Sequence, residues 1–275
     1  MMTISEALSI LTVPGSRPRL ARCWAVGTLG PGSAGASTLA VAIATYLDGL
    51  LVEADADGGV LGARYGGWLN ESAPSLASLL AALHTHADTA VIEDHLQRLP
   101  GGARAVLVAP DTEAAIGPVR RLAEDLTLVR QRLAGQTLVV DIGRVRSDSP
   151  SLRLAEQADA LVAVVKPEVE SLGCLLARLP ALLEQIPTLV VAVRGDGPYA
   201  LADIRAAVNL RTHGRIPVVA VPEDPRGVRA LSQGNKARRS PRSAGRPEAL
   251  MLSAGVLVTV LSSPPSEERR GAGDE

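Results

Sequence analysis

Nine consecutive residues, Gly30-Pro-Gly-Ser-Ala-Gly35-Ala36-Ser37-Thr38, set three glycines and two adjacent hydroxyls between an apolar run and a helical pattern. Glycines let the backbone curl until its N–H groups converge, and the start of the following helix adds a favourable dipole, so the natural guest of this turn is a phosphate. Against the pattern G-x-x-x-x-G-K-[ST], Gly30 and Gly35 match and Ser37 matches the hydroxyl that binds magnesium, but Ala36 stands where the lysine belongs. That lysine offsets charge on the β- and γ-phosphates. Without it, triphosphate binding weakens and the transfer barrier rises by about 3 to 4 kcal/mol, by analogy with the loss of one preorganised donor. Slow or absent hydrolysis is the expectation.

Further carboxylates follow at the ends of apolar runs. The second run closes in Glu53-Ala-Asp55-Ala-Asp57-Gly-Gly, and a later one in Val-Val-Asp141-Ile-Gly143. A carboxylate placed as Asp141 is can hold magnesium, directly or through water. Two other readings use the same loop. It could be a turn that merely packs a helix closely on a sheet. Alternatively, Gly30, Gly32 and Gly35 spell G-x-G-x-x-G, with Glu53 roughly twenty residues on, where a dinucleotide fold places its ribose-binding acid. Asp141 tips the balance toward a phosphate loop with a metal, because an NAD site has no use for it.

The elements that must position these residues are legible as short apolar runs alternating with helical stretches. Strands are expected over Arg22 to Thr28, Leu50 to Ala54, Ala105 to Val108, Thr137 to Val140, Ala160 to Val165, Thr188 to Val193 and Pro217 to Val221. Between them, apolar residues at three- and four-residue spacings mark helices such as Thr112 to Leu133 and Glu168 to Leu183. The strands are apolar at consecutive positions, as strands covered by helices on both faces must be. A doubly wound α/β fold with a mostly parallel sheet and three α/β/α layers is therefore expected, with ligands beyond the carboxyl ends of the strands.

The organisation expected is a loose arm over residues 1–21, one main domain over 22–234, and a basic linker, apolar helix and polar tail over 235–275. The charges nearly cancel, at a net of −1, so no specific nucleic-acid binding is indicated. Cys23 and Cys174 read as reduced, buried thiols, and His84 and His86 cannot share one helix face to hold a metal. The first residues lack the pattern of a secretory signal, which points to a cytoplasmic protein. Leu250 to Leu261 is apolar nearly all round and too short to span a bilayer, so it reads as a helix packed on the domain or in a dimer interface.

On these motifs the chain resembles the ParA/MinD group of P-loop ATPases with the deviant Walker A loop, which includes septum-site proteins and TadZ/CpaE-like pilus-assembly proteins. The resemblance runs roughly from Trp24 to Gly234. Gly-Pro-Gly-Ser-Ala-Gly-Ala-Ser-Thr aligns with the family's K-G-G-x-G-K-[ST]-[ST], which puts Pro31 at the signature lysine and Ala36 at the P-loop lysine. Glu-Ala-Asp-Ala-Asp-Gly-Gly resembles its D-x-D-P-x-x-G stretch, Val-Val-Asp141-Ile-Gly its Walker B strand, and the segment from Val218 to Gly234 its closing strand, loop and helix.

The resemblance implies ATP and Mg2+ as ligands, held by Gly30, Pro31, Gly32, Ser33, Ala34, Gly35, Ala36, Ser37 and Thr38. Ser37 and Asp141 would serve the metal, Thr38 the α-phosphate, and Asp55 would orient the attacking water. It implies protein partners, a homodimer, and contact with a membrane surface through the C-terminal segment. The family's tasks are placement of the division site, chromosome partitioning and pilus or secretion assembly. Pro31 can supply neither a cation nor an N–H across a dimer. The family's adenine-reading Asn has no counterpart in Ala-Val-Arg194-Gly-Asp196, and Arg144 and Arg194, which follow strands, are either substitute charges or solvated surface arginines. Four readings stand at this point: a nucleotide switch or scaffold with weak or no turnover, a working ATPase with arginine in place of lysine, an NAD-type domain, and a nucleotide-free scaffold.

Overall fold

The computed structural model describes residues 20–32, 34–65, 73–85, 90–233 and 249–262. The expected arm and the basic run before the last helix lie largely or wholly outside these residues. Eight strands form one sheet: β1 (Arg22–Thr28), β2 (Leu50–Glu53), β3 (Gln97–Arg98), β4 (Arg104–Val106), β5 (Thr137–Arg144), β6 (Ala160–Val165), β7 (Leu189–Arg194) and β8 (Val218–Val221). Their order is β3-β4-β2-β5-β1-β6-β7-β8, and every pair is parallel except β3 with β4.

The helices are α1 (Ala36–Leu47), α2 (Leu61–Tyr65), α3 (Leu76–Thr85), α4 (Ala90–Glu93), α5 (Thr112–Arg132), α6 (Pro150–Gln157), α7 (Val169–Gln185), α8 (Leu201–Thr212), α9 (Pro225–Gln233) and α10 (Ala249–Ser262). They cover both faces of the sheet, and the strands show why. In β6, Leu161, Ala163 and Val165 enter one apolar cluster with α3, α5, α6 and α7, while Ala160, Val162 and Val164 enter a second with α1, α9 and α10. Consecutive apolar residues thus serve opposite layers, as expected for a doubly wound sheet. The last helix lies on the domain, with Leu250, Ala254 and Leu257 buried against α1 and β8. No helix among the described residues is long and apolar enough to cross a membrane.

Three departures from the expected elements have physical causes. The edge strand β3 has two residues, too few to display any periodicity. Short helices α2 to α4 likewise carry little pattern of their own. Most consequential, β5 does not stop at Val140 but continues to Arg144 past a register shift opposite Val26 and Gly27. Gly143 makes this continuation feasible, with φ at +57°. Asp141 therefore lies within the strand, fully buried, between Glu53 on β2 and Val26 on β1.

At the amino end of the sheet, Arg130 on α5 ties three segments together. Its guanidinium donates to Ala21 O (3.0 Å), Gln157 O (2.9 Å) and Asp159 Oδ1 (2.6 Å), while Asp159 Oδ2 accepts from Cys23 N at 2.8 Å. Burial beside this network pushes the Cys23 thiol up to about 12. Arg130→Ala is expected to cost about 2 kcal/mol, since it strands two carbonyls and a carboxylate that remains partly solvated. Chemical denaturation of the two proteins at neutral pH checks this.

Candidate functional site

The site begins where β1 leaves the sheet between β5 and β6. Gly30 is buried where α7 begins, and a Cβ there would stand 3.3 Å from Ser171 Cα. Pro31 and Gly32 are exposed, Gly32 with φ +77°, and Ser33 lies outside the described residues. Gly35 takes φ +82° and starts α1. No side chain caps this helix, and the first N–H closed back onto the loop is that of Leu39, to Gly35 O at 3.1 Å. The N–H groups of Ala36, Ser37 and Thr38 are thereby left to whatever the loop holds. Ala34 and Ala36 are buried in the apolar cluster beneath, so the position of the missing lysine contributes packing and no charge.

Ser37 faces Asp141. Asp141 Oδ1 accepts from Gly143 N at 3.3 Å, and Oδ2 makes no hydrogen bond among the described residues although it is fully buried. Burial raises the Asp141 carboxyl to about 6, with the Ser37 hydroxyl pulling it down and Asp55 pushing it up. A buried carboxylate oxygen without a partner is costly, and a buried carboxylate beside a hydroxyl at a helix start is poised for a cation. Among the described residues no group of three His, Cys, Asp or Glu could hold a metal. The donor set suits magnesium, which needs few protein ligands when phosphates and waters supply the rest.

Asp55 is half-buried directly over Gly143. A Cβ on Gly143 would lie 2.0 Å from Asp55 Cγ, so glycine is required there by contact as well as by its positive φ. Asp55 Oδ1 accepts from Asp57 N at 2.9 Å, and burial holds the carboxyl above its ordinary value.

Glu53 has a different role from the one the dinucleotide reading requires. It is fully buried, and its Oε1 accepts from Val60 N (2.7 Å) and Leu61 N (2.8 Å) while Oε2 accepts from Val108 N (3.3 Å). Both oxygens are spent on tying the β2–α2 connection to the end of β4, and none reaches a ribose. The NAD-type reading loses its acid.

Two arginines reach the loop: Arg194, expected as either a substitute charge or a solvated surface residue, and Arg64, for which there was no expectation. Arg64 on α2 donates through Nη1 to Thr38 Oγ1 at 2.9 Å, and its charge is felt at Asp141. Arg194, the last residue of β7, is half-buried, and its guanidinium lies over Gly35: a Cβ there would be 2.7 Å from Nη1 and 2.8 Å from Nε. The strand-end rule pointed to Arg194, whereas no sequence signal singles out Arg64. Arg144 is exposed at the end of β5. Cys174 is half-buried rather than buried, and lies on α7 beside Gly30 of the loop.

This arrangement of sheet, loop and strand-end carboxylates defines the fold of the ParA/MinD ATPases. A ParA family ATPase from Chlorobium tepidum superposes with a TM-score of 0.64 at 17% identity, over 87% of this chain and 98% of that one. The septum site-determining protein MinD of Pyrococcus horikoshii, complexed with Mg-ADP, gives 0.62 at 16% identity over 89% and 100%. MinD in the MinC:MinD complex of Aquifex aeolicus gives 0.58 at 18% identity over 90% and 98%. By sequence, no family model and no curated protein matches the chain.

Proposed function

We propose that the chain is a ParA/MinD-like nucleotide switch or scaffold that binds Mg-ATP, hydrolyses it weakly or not at all, and positions partner proteins. The observation that carries this reading is the fully buried Asp141 carboxylate, its Oδ2 without a hydrogen bond among the described residues, beside Ser37 in the first turn of α1. Ser37 and Asp141 would hold the metal, which when bound neutralises phosphate charge. The loop from Gly30 to Thr38 would hold the phosphates, and Asp55 would orient a water. Pro31 and Ala36 argue against efficient turnover, because neither lysine position carries a cation.

Similarity in fold to MinD crystallised with Mg-ADP and with MinC supports nucleotide and protein partners as the class of ligand to test. A homodimer, a cytoplasmic location with peripheral membrane contact through α10, and a task in division-site placement, partitioning or pilus assembly belong to the same proposal.

The test is a calorimetric titration with Mg-ATP. Saturable binding is expected, weakened roughly tenfold or more by Asp141→Ala in Mg2+ but little changed by it in EDTA. Absence of heat from the folded wild-type protein would overturn the nucleotide reading and leave a nucleotide-free scaffold.

A further inference from the structure

Resting on that reading, we propose that Arg194, reaching over the sheet from the end of β7, supplies the phosphate-binding charge that neither lysine position of the loop provides. β7 is separated from β1 by β6, so the side chain must cross one strand end to arrive at Gly35. It arrives with its guanidinium against the Gly35 backbone and forms no hydrogen bond or ion pair with a described residue. Glu223, which lies against the neighbouring Gly195, makes no ion pair with the guanidinium. All five N–H donors are available to a ligand.

The location matters as much as the free donors. The amino end of α1 carries the positive end of the helix dipole and has no acidic residue in its first turn. Resting a guanidinium there, with a second one from Arg64 on Thr38, sets like charges together, an arrangement that favours an anion between them. Asp141 does not neutralise Arg194, with which it makes no ion pair: it is fully buried beside Ser37, with Oδ1 accepting from Gly143 N. A polyphosphate on the loop satisfies both ends at once: its oxygens meet the open N–H groups of α1 and the fork of Arg194, and its metal meets Ser37 and Asp141. Arginine suits the role because it stays charged and can grip two phosphate oxygens.

The experiment is calorimetric titration of the full chain with Mg-ATP, using wild type, Arg194→Gln and Arg194→Lys, with the melting temperature of each ligand-free protein as the control for folding. Arg194→Gln should bind roughly tenfold to a hundredfold more weakly while melting close to the wild type, since no hydrogen bond or ion pair with a described residue is lost in the free protein. Arg194→Lys should retain most of the affinity. Wild-type binding that Arg194→Gln leaves unchanged or tightens overturns this inference alone, as does an equal loss in both variants. A wild type that binds no nucleotide overturns this inference together with the reading beneath it.

Discussion

Gly143→Ala is expected to lower the free energy of unfolding by about 3 to 4 kcal/mol, and the melting temperature by roughly 10 °C. The new methyl group would lie 2.0 Å from Asp55 Cγ and 2.2 Å from Oδ2, so the carboxylate must swing away. It then gives up its bond from Asp57 N, which ties the β2–α2 loop together. The left-handed φ of +57° adds about 1 kcal/mol for any residue with a Cβ. The two contributions separate in a double variant. Asp55→Ala should relieve the steric part, so that Gly143→Ala costs only about 1 kcal/mol in the Asp55→Ala background. Equal costs in the two backgrounds would show that Asp55 does not rest on Gly143. The same close contact fixes Asp55 near Asp141, so the glycine that closes the Val-Val-Asp-Ile-Gly run shapes the site while contributing no functional group.

Most of this was legible where a signal is local. The parallel strands announce themselves because each must feed two helical layers, and Leu161 to Val165 can do so only by being apolar at every position. The phosphate loop is equally local, since the shape of a glycine turn depends on residues 30 to 38 and on little else. Asp141 was recognisable as a strand-end acid, but its depth was not. The bulge that carries β5 on to Arg144 arises from Gly27 meeting Gly143 across two strands, a pairing that no single segment encodes.

Contacts between distant segments account for the rest. Glu53 resembles a ribose-binding acid by spacing alone, and what removes it from that role is its capture by Val60, Leu61 and Val108 N–H groups in the folded chain. Arg194 and Gly35 meet only because β7 is placed next to β6 and β6 next to β1. An arginine at a strand end is usually solvated, and only topology distinguishes one that turns inward over a loop lacking its own cation. The degenerate motif therefore misleads when read alone, because the charge expected at Ala36 or Pro31 can be delivered from another strand.

Stability should fall as pH rises from about 5 to 7, the reverse of what paired carboxylates give. Burial raises Glu53 from the ordinary carboxyl value of 4.5 to about 7, against the three N–H groups that hold it and with Asp141 adding to the rise. The folded state thus keeps a proton that the unfolded chain releases, and unfolding becomes easier with pH. The favourable contribution is complete below about 4.5, is lost as pH climbs toward 7, and is constant beyond. Its size is about 3 kcal/mol for Glu53. Asp141, raised to about 6, acts in the same direction over a lower range. Denaturant unfolding across this range should show the decline, and Glu53→Gln should abolish it above about pH 6 and roughly halve it between about pH 4.5 and 6, where Asp141 still contributes. A wild-type stability that is flat or rising over this interval would mean that Glu53 is ionised in the folded protein. Mg-ATP should oppose the decline, because a metal at Asp141 favours the ionised carboxylate, so nucleotide affinity should weaken as pH falls below about 6, where that carboxylate takes up its proton.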